Sequence, residues 1–174
     1  MADALADAEK AGALVIVPAW ELSEDMDKAV FYPNRTMKEG HTLGNLMIVS
    51  SSDKAGNPIM NSNYGAKTLD LYAPGKDIYS TYMGDTYQTG TGMALAASTV
   101  AGVAALVKSY FPKLTGTQLR DILIKSVTSR KGAEVEKGIR VEGNPSQDLF
   151  LFDDLCISGG IVNAYQAIKE AEKQ

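Results

Sequence analysis

Two short apolar runs limit what this chain can fold into. Residues 13–19 (ALVIVPA) and 43–51 (LGNLMIVSS) carry no charge and do not alternate with polar residues. Each therefore predicts a strand buried on both faces, as strands are inside a parallel sheet. Residues 68–73 predict a third strand, stopped by Pro74 and Gly75, and residues 77–81 a short fourth one. Helical patterns lie around them. Ala2–Lys10 mixes alanine and leucine with acids, and Gly12 supplies a left-handed stop. Residues 93–110 are rich in alanine, with Leu95, Val103, Leu106 and Tyr110 as the larger apolar side chains and many small ones that permit close packing. Thr115 and Gln118 have the spacing of a capping box ahead of an apolar stripe of Leu119, Ile122 and Leu123. Gly159 and Gly160 lead into a last helix with Ile161, Tyr165 and Ile168 on one face. Strands followed by helices of moderate length predict an α/β fold, a mainly parallel sheet flanked by helices.

The segments between these elements read as excursions. Residues 20–40 are polar and contain Pro33 and Asn34; residues 52–67 are full of turn formers; residues 129–146 are polar and contain glycine. Residues 149–152 predict an edge strand or a hairpin arm. At 174 residues the chain is long enough for a single domain, spanning residues 1–174, that buries roughly 70% of its unfolded surface.

Composition removes several function classes. The 17 basic residues are outnumbered by 21 acidic ones, and no basic stripe breaks the mixture, so a nucleic-acid partner is not expected. One cysteine, Cys156, excludes an internal disulfide, and one histidine, His41, excludes a zinc-holding His/Cys cluster. The N-terminus carries acids where a secretion signal carries lysine or arginine, so no signal peptide is expected in this chain. Residues 86–107 form an uncharged run long enough to span a bilayer, but serine, threonine, glutamine and three glycines dilute it. It suits a helix buried inside a soluble protein better than a membrane span.

Three segments, in this order and spacing, carry a resemblance. They are NSNYGAKTLDLYAPGKDIYST (61–81), GVAALVKSYFPKLTGTQLRDILIKSV (102–127) and LCISGGIVNAYQAI (155–168). Together they resemble the subtilisin-like serine peptidases, in particular the exported subtilases common in Bacteroidetes. The resemblance implies part of a subtilisin-like fold, namely the C-terminal half of the catalytic domain. The family's triad runs Asp, His, Ser along the chain, and its first two members precede the strand that ALVIVPA resembles.

The family's nucleophile motif, G-T-S-M-A, is altered. Counting back without a gap from Ala101-Gly102 puts the serine position at Ala94; a rival alignment on Gly90, Thr91, Gly92, Met93 and Ala94 puts it at Gly92. Neither residue offers the hydroxyl that acyl transfer needs. Where the family reads A-A-G-N, this chain has Pro18, Ala19, Trp20 and Glu21. The resemblance thus places Glu21 at the oxyanion position, where a carboxylate opposes the developing charge. It also places Ala19 and Trp20 at the substrate-binding wall, with the indole expected to fill the specificity pocket. The expected function is a catalytically inactive, degenerate peptidase domain. The alternatives are one part of an active serine endopeptidase completed by another chain, and a non-catalytic peptide- or protein-binding module. A sheet cut in its middle exposes an edge, so a homodimer or a complementing N-terminal half chain is an expected partner.

The remaining candidates have plainer readings. His41 beside Ser98 and Asp70 would make a new triad, but KEGHTLGN is a polar loop, and the Ser98 hydroxyl is expected to bond a carbonyl one turn back. Gly90, Thr91 and Gly92 lack the third glycine or the lysine of phosphate-binding loops, so they are expected to serve close chain approach. Glu24, Asp25 and Asp27 lack the spaced ligands and glycine of a calcium loop. Cys156 is expected to be a buried small hydrophobe. No metal and no cofactor are expected.

Overall fold

A computed structural model describes residues 2–36, 40, 42–141 and 144–174, with side chains omitted for 138–147. The elements run α1 (Ala2–Lys10), β1 (Val15–Pro18), β2 (Leu46–Ser52), β3 (Leu71–Pro74), β4 (Ile78–Tyr82), β5 (Thr86–Gly90), α2 (Met93–Tyr110) and α3 (Gly116–Lys125). They continue with β6 (Thr128–Ser129), β7 (Glu134–Val141), β8 (Asn144–Leu151), β9 (Gly160–Ile161) and α4 (Ala164–Ala171). Five strands form one sheet in the order β1-β2-β3-β9-β6. The first four pair in parallel and β6 closes the far side antiparallel to β9. The expected α/β architecture is present.

Only the second apolar run behaves as its composition demands: every residue of β2 is buried, whereas β1 is half-buried because it forms the edge of the sheet. Successive side chains of a strand point to opposite faces. Met47, Val49, Leu71 and Ala73 join a core shared with α2, α3 and α4, while Ile48 and Tyr72 join a second core with Met93, Val135, Phe152 and Leu155. Helices thus cover one face, and the β7–β8 hairpin with the short turn Phe152–Asp154 covers part of the other. Tyr72 lies edge-on to Phe152, with ring centres 5.3 Å apart.

Helix α2 packs on β1, β2 and β3. It is long and apolar enough to cross a bilayer by length and composition, yet its inner face of Met93, Ala96, Ala97, Val100, Ala104 and Val107 is core. The small residues bring the helix close to the sheet, and the larger Leu106 and Tyr110 lie outside. The capping box of α3 forms as expected, with Thr115 Oγ1 accepting from the Gln118 amide and the Gln118 side chain accepting from the Thr115 amide.

The structure refines three expectations. Residues 77–81 hold the expected short strand, β4, which pairs antiparallel with β5 in a separate hairpin, turned through Gly84 and Asp85, both at positive φ. The uncharged run hid β5, since threonine and glutamine there suit a solvated hairpin as well as a helix start. In the last helix Ile161 belongs to β9 and Tyr165 is exposed, while Ala167 and Ala171 form the buried face. Alanine gives little hydrophobic signal, so the wrong stripe stood out. Residues 149–151 end the expected hairpin arm, β8, which is longer than its apolar tail indicated, and Phe152 opens the short turn that follows.

Asp70 ties the layers together. It is fully buried at the start of β3; Arg35 Nη1 reaches both its oxygens at 2.6 Å, Arg120 Nη2 reaches Oδ1 at 2.5 Å and the Ile48 amide donates to Oδ2 at 2.6 Å. Arg35 Nη2 also donates to the carbonyls of Lys67 and Thr68. One carboxylate thereby joins the 20–40 excursion, β2, β3 and α3. Asp70→Asn should destabilise the fold by about 3 to 5 kcal/mol, since it takes from two shielded guanidinium groups their buried counter-charge and leaves Arg120 only its longer pair with Asp121 at 3.9 Å. Urea unfolding checks this, with Asp154→Asn on the surface expected to stay within about 0.5 kcal/mol of the parent.

Candidate active site

The chain leaves β1 through Ala19, whose amide donates to the Val49 carbonyl at 2.7 Å. Asn63, fully buried, shapes the segment that follows: its Oδ1 accepts from the amides of Leu22 and Glu24, and its own amide donates to the Trp20 carbonyl. These bonds hold Trp20 and Glu21 at the C-terminal end of the sheet, beside the start of α2.

That start is built by close approach. The Gly92 amide donates to the Gly75 carbonyl at 2.9 Å. A Cβ on Gly75 would run into Ser51 Oγ and lie 2.8 Å from the Gly92 carbonyl oxygen and 3.0 Å from the Ala96 Cβ. Thr91 Oγ1 accepts from the Asp77 amide, which fixes the other side of the turn. Gly90, Thr91 and Gly92 thus serve chain packing, as expected.

Gly92 is the N-cap of α2 and lends the helix no side-chain cap, and the first turn carries no acid. Glu21 takes that place from outside the helix. Its Oε1 accepts from the Met93 amide and its Oε2 from Asn61 Nδ2, each at 3.4 Å. A carboxylate at the positive end of a helix dipole is stabilising. A Cβ on Gly92 would stand 3.2 Å from Glu21 Oε1, so Gly92 and Glu21 face each other across the helix start. Ala94 lies inside the first turn and is exposed.

The other candidates disperse. Ser98 Oγ donates to the Ala94 carbonyl at 2.9 Å, one turn back as expected. Asp70 is committed to its two arginines, and His41 lies outside the described residues. Asp25 pairs with Lys28 at 3.1 Å and Asp27 accepts from the Lys67 amide. Among the described residues no three His, Cys, Asp or Glu side chains gather to hold a metal ion. Cys156 is buried in the second core, and burial pushes its thiol up, away from the thiolate.

The expectation for Trp20 is overturned. Its indole is 49% exposed, leans on Phe31 with ring centres 6.2 Å apart, and donates Nε1–H to the Tyr32 carbonyl at 3.3 Å. The 20–40 excursion supplies a partner that draws the ring outward, and that pairing is absent from any local sequence pattern. Ala19 beneath it is buried.

The profile of the subtilase family (Peptidase S8) matches residues 2–141. The chain belongs to the subtilase family. Subtilisin BL of Lederbergia lenta is 39% identical over 101 residues, 58% of this chain and 35% of that protein. A thermostable alkaline protease of Halalkalibacterium halodurans is 34% identical over 121 residues, 70% of this chain and 30% of that protein. The chain thus spans about a third of the length of such relatives. Among solved structures, the prenylagaramide maturation protease PagA superposes with a TM-score of 0.71 at 20% identity, covering 98% of this chain and 55% of that one. The A-subunit of the AB5 toxin from E. coli gives 0.70 at 19%, covering 97% and 54%. These two show a shared fold.

One titratable group near the site is unusual. Lys137 on β7 is buried with its Nζ 5.3 Å from the centre of the Tyr64 ring and 3.4 Å from the Met60 carbonyl oxygen. Burial lowers its pKa to about 7 from 10.5. Between those values the unfolded chain holds a proton that the folded chain has lost, so this lysine makes stability rise with pH from about 7 towards 10.5 and contributes no slope below. Burial raises the Tyr72 phenol and the Cys156 thiol, which act in the opposite sense at alkaline pH. Comparison with Lys137→Met cancels them. The stability of the parent relative to that variant should grow by on the order of 2 kcal/mol between pH 7 and pH 9, measured by urea unfolding.

Proposed function

We propose that this chain is a subtilase-family domain with no peptidase activity of its own, corresponding to the C-terminal half of a catalytic domain of the exported Bacteroidetes type. The observation that carries the reading is Glu21 accepting from the Met93 amide beside Gly92. We assign the nucleophile position to Gly92 rather than Ala94, because Gly92 stands at the helix start, where G-T-G-M-A aligns with G-T-S-M-A. Glycine has no hydroxyl to attack a carbonyl. The amide that could steady an oxyanion already holds a carboxylate, and a second negative charge there would be repelled.

The half-domain assignment draws support from the match to only 54% and 55% of the two structural neighbours, and from the sheet, in which β1 is an edge. The amides of Val15 and Ala19 turn to β2, and strand alternation turns that of Ile16 outward; Pro18 has none to offer. An unpaired, half-buried edge of this kind recruits a strand. The expected partner is a second copy or a chain that adds strands along β1. Light scattering of the isolated chain should show a dimer or larger species, and a compact monomer at high concentration counts against this partner.

A fluorophosphonate probe tests the lack of activity directly, because it reports an activated serine. Neither the parent nor Gly92→Ser should label above background, since the restored hydroxyl would crowd Glu21 and stand beside its carboxylate. Stoichiometric labelling of the parent, with Ser98 the first residue to map, would overturn the reading.

A further inference from the structure

We propose that strand β5 of the β4–β5 hairpin pairs antiparallel with β5 of a second copy of this chain, about a two-fold axis at Gln88. The proposal goes beyond the reading above: it holds whether or not a strand joins β1, and labelling by a serine probe does not bear on it.

The hairpin stands in water on both faces. Only Ile78 and Gly90, at its base, are partly covered, and among the described residues the outer edges of its two strands pair with nothing. A two-stranded hairpin is marginal by itself in water, yet this one is well ordered. Thr86 Oγ1 donates to the Met83 carbonyl at 2.9 Å across the turn, Thr91 Oγ1 accepts from the Asp77 amide at 3.0 Å at the base, and the exposed rings of Tyr79 and Tyr87 stack with centres 5.6 Å apart. Natural sheets blunt an open edge with lysine, proline or a bulge. Strands β4 and β5 read IYSTY and TYQTG, carry no charge and no proline, and pair residue for residue without a bulge.

The order of residues in β5 identifies the occupant as a second copy. Inside the hairpin each tyrosine of the stacked pair lies opposite a threonine, Tyr79 across from Thr89 and Tyr87 across from Thr81. Antiparallel pairing of two β5 strands about Gln88 sets Tyr87 of each copy opposite Thr89 of the other, which repeats that match across the new seam. Strand alternation keeps these side chains on one face, and the two copies of Tyr87 come to diagonal positions within the reach of aromatic rings. The acids keep apart. Asp85 is the one charged residue between Ile78 and Gly90; it would lie opposite Thr91 of the other copy, so the two carboxylates stand about 20 Å apart along the seam. Strand β4 is the less open edge, because the loop of Asp53, Lys54 and Ala55 lines one cavity with Lys76, Asp77 and Ile78 at its base.

A residue on the axis meets its own copy, so a charge at position 88 tests the seam. Gln88→Lys and Gln88→Glu each place like charges directly opposite, and each should weaken self-association about fivefold in sedimentation equilibrium at low salt. An equimolar mixture of the two variants sets lysine against glutamate and should restore the association of the parent, which also shows that both variants fold. Ser80→Lys, across the hairpin on β4, should stay within about twofold of the parent. A parent that is monomeric at millimolar concentration, charged variants that associate undiminished, or a mixture no stronger than its components overturns the proposal. A loss on Ser80→Lys equal to that on Gln88→Lys overturns the choice of β5. Association through β1 responds to neither charge at position 88, so the failure of this seam is told apart from the failure of that one.

Discussion

The fold hangs on a charge that has no access to water. Asp70 sits where β3 begins, and its carboxylate is met by guanidinium groups from an excursion 35 residues earlier and from a helix 50 residues later. A lone carboxylate there would carry a desolvation cost of several kcal/mol. Two arginines and the Ile48 amide offset it, and together they fix where α3 and the 20–40 excursion lie relative to the sheet. The consequence reaches the other end of the strands. With the excursion pinned through Arg35, Phe31 and Tyr32 come to rest against Trp20, and the segment after β1 is held beside α2.

At that end the backbone arrangement and the chemistry are separable. Gly75 and Ala96 are forced by contact: no side chain fits at position 75 between Ser51, the Gly92 carbonyl and the Ala96 Cβ in the first turn of α2. Glu21 is not forced in the same way. It reaches the Met93 amide through a long hydrogen bond and leans on Asn61 for the second. The helix start would keep its shape with another residue at position 21, whereas it would not with a side chain at position 75.

How much of this could be read from residue types follows from the range of the forces. Strands β1 to β3 were legible because an uncharged apolar run has one physical destination, and the α3 cap because Thr115 and Gln118 lie within three residues of each other. Ser98 was legible for the same reason, as its bond spans a single turn. The short strands β6 and β9 were not, since two residues each carry no period. The outward position of Trp20 depends on Phe31 and on the Tyr32 carbonyl, partners 11 and 12 residues away that no local pattern reveals. The proximity of Glu21 to Met93 spans 72 residues; the motif G-T-G-M-A was its one local signal, and it competed with a gapless count that favoured Ala94.

The close contact at Gly75 has a consequence for how such a chain can drift. Substitutions at positions 75 and 96 are filtered by volume alone, whatever the protein does, while positions 20, 21 and 92 answer to no such filter. A lineage can therefore exchange the groups at this mouth repeatedly without renegotiating the backbone beneath them. The scaffold acts as a fixed socket, and its present fittings record the most recent use rather than the requirements of the fold.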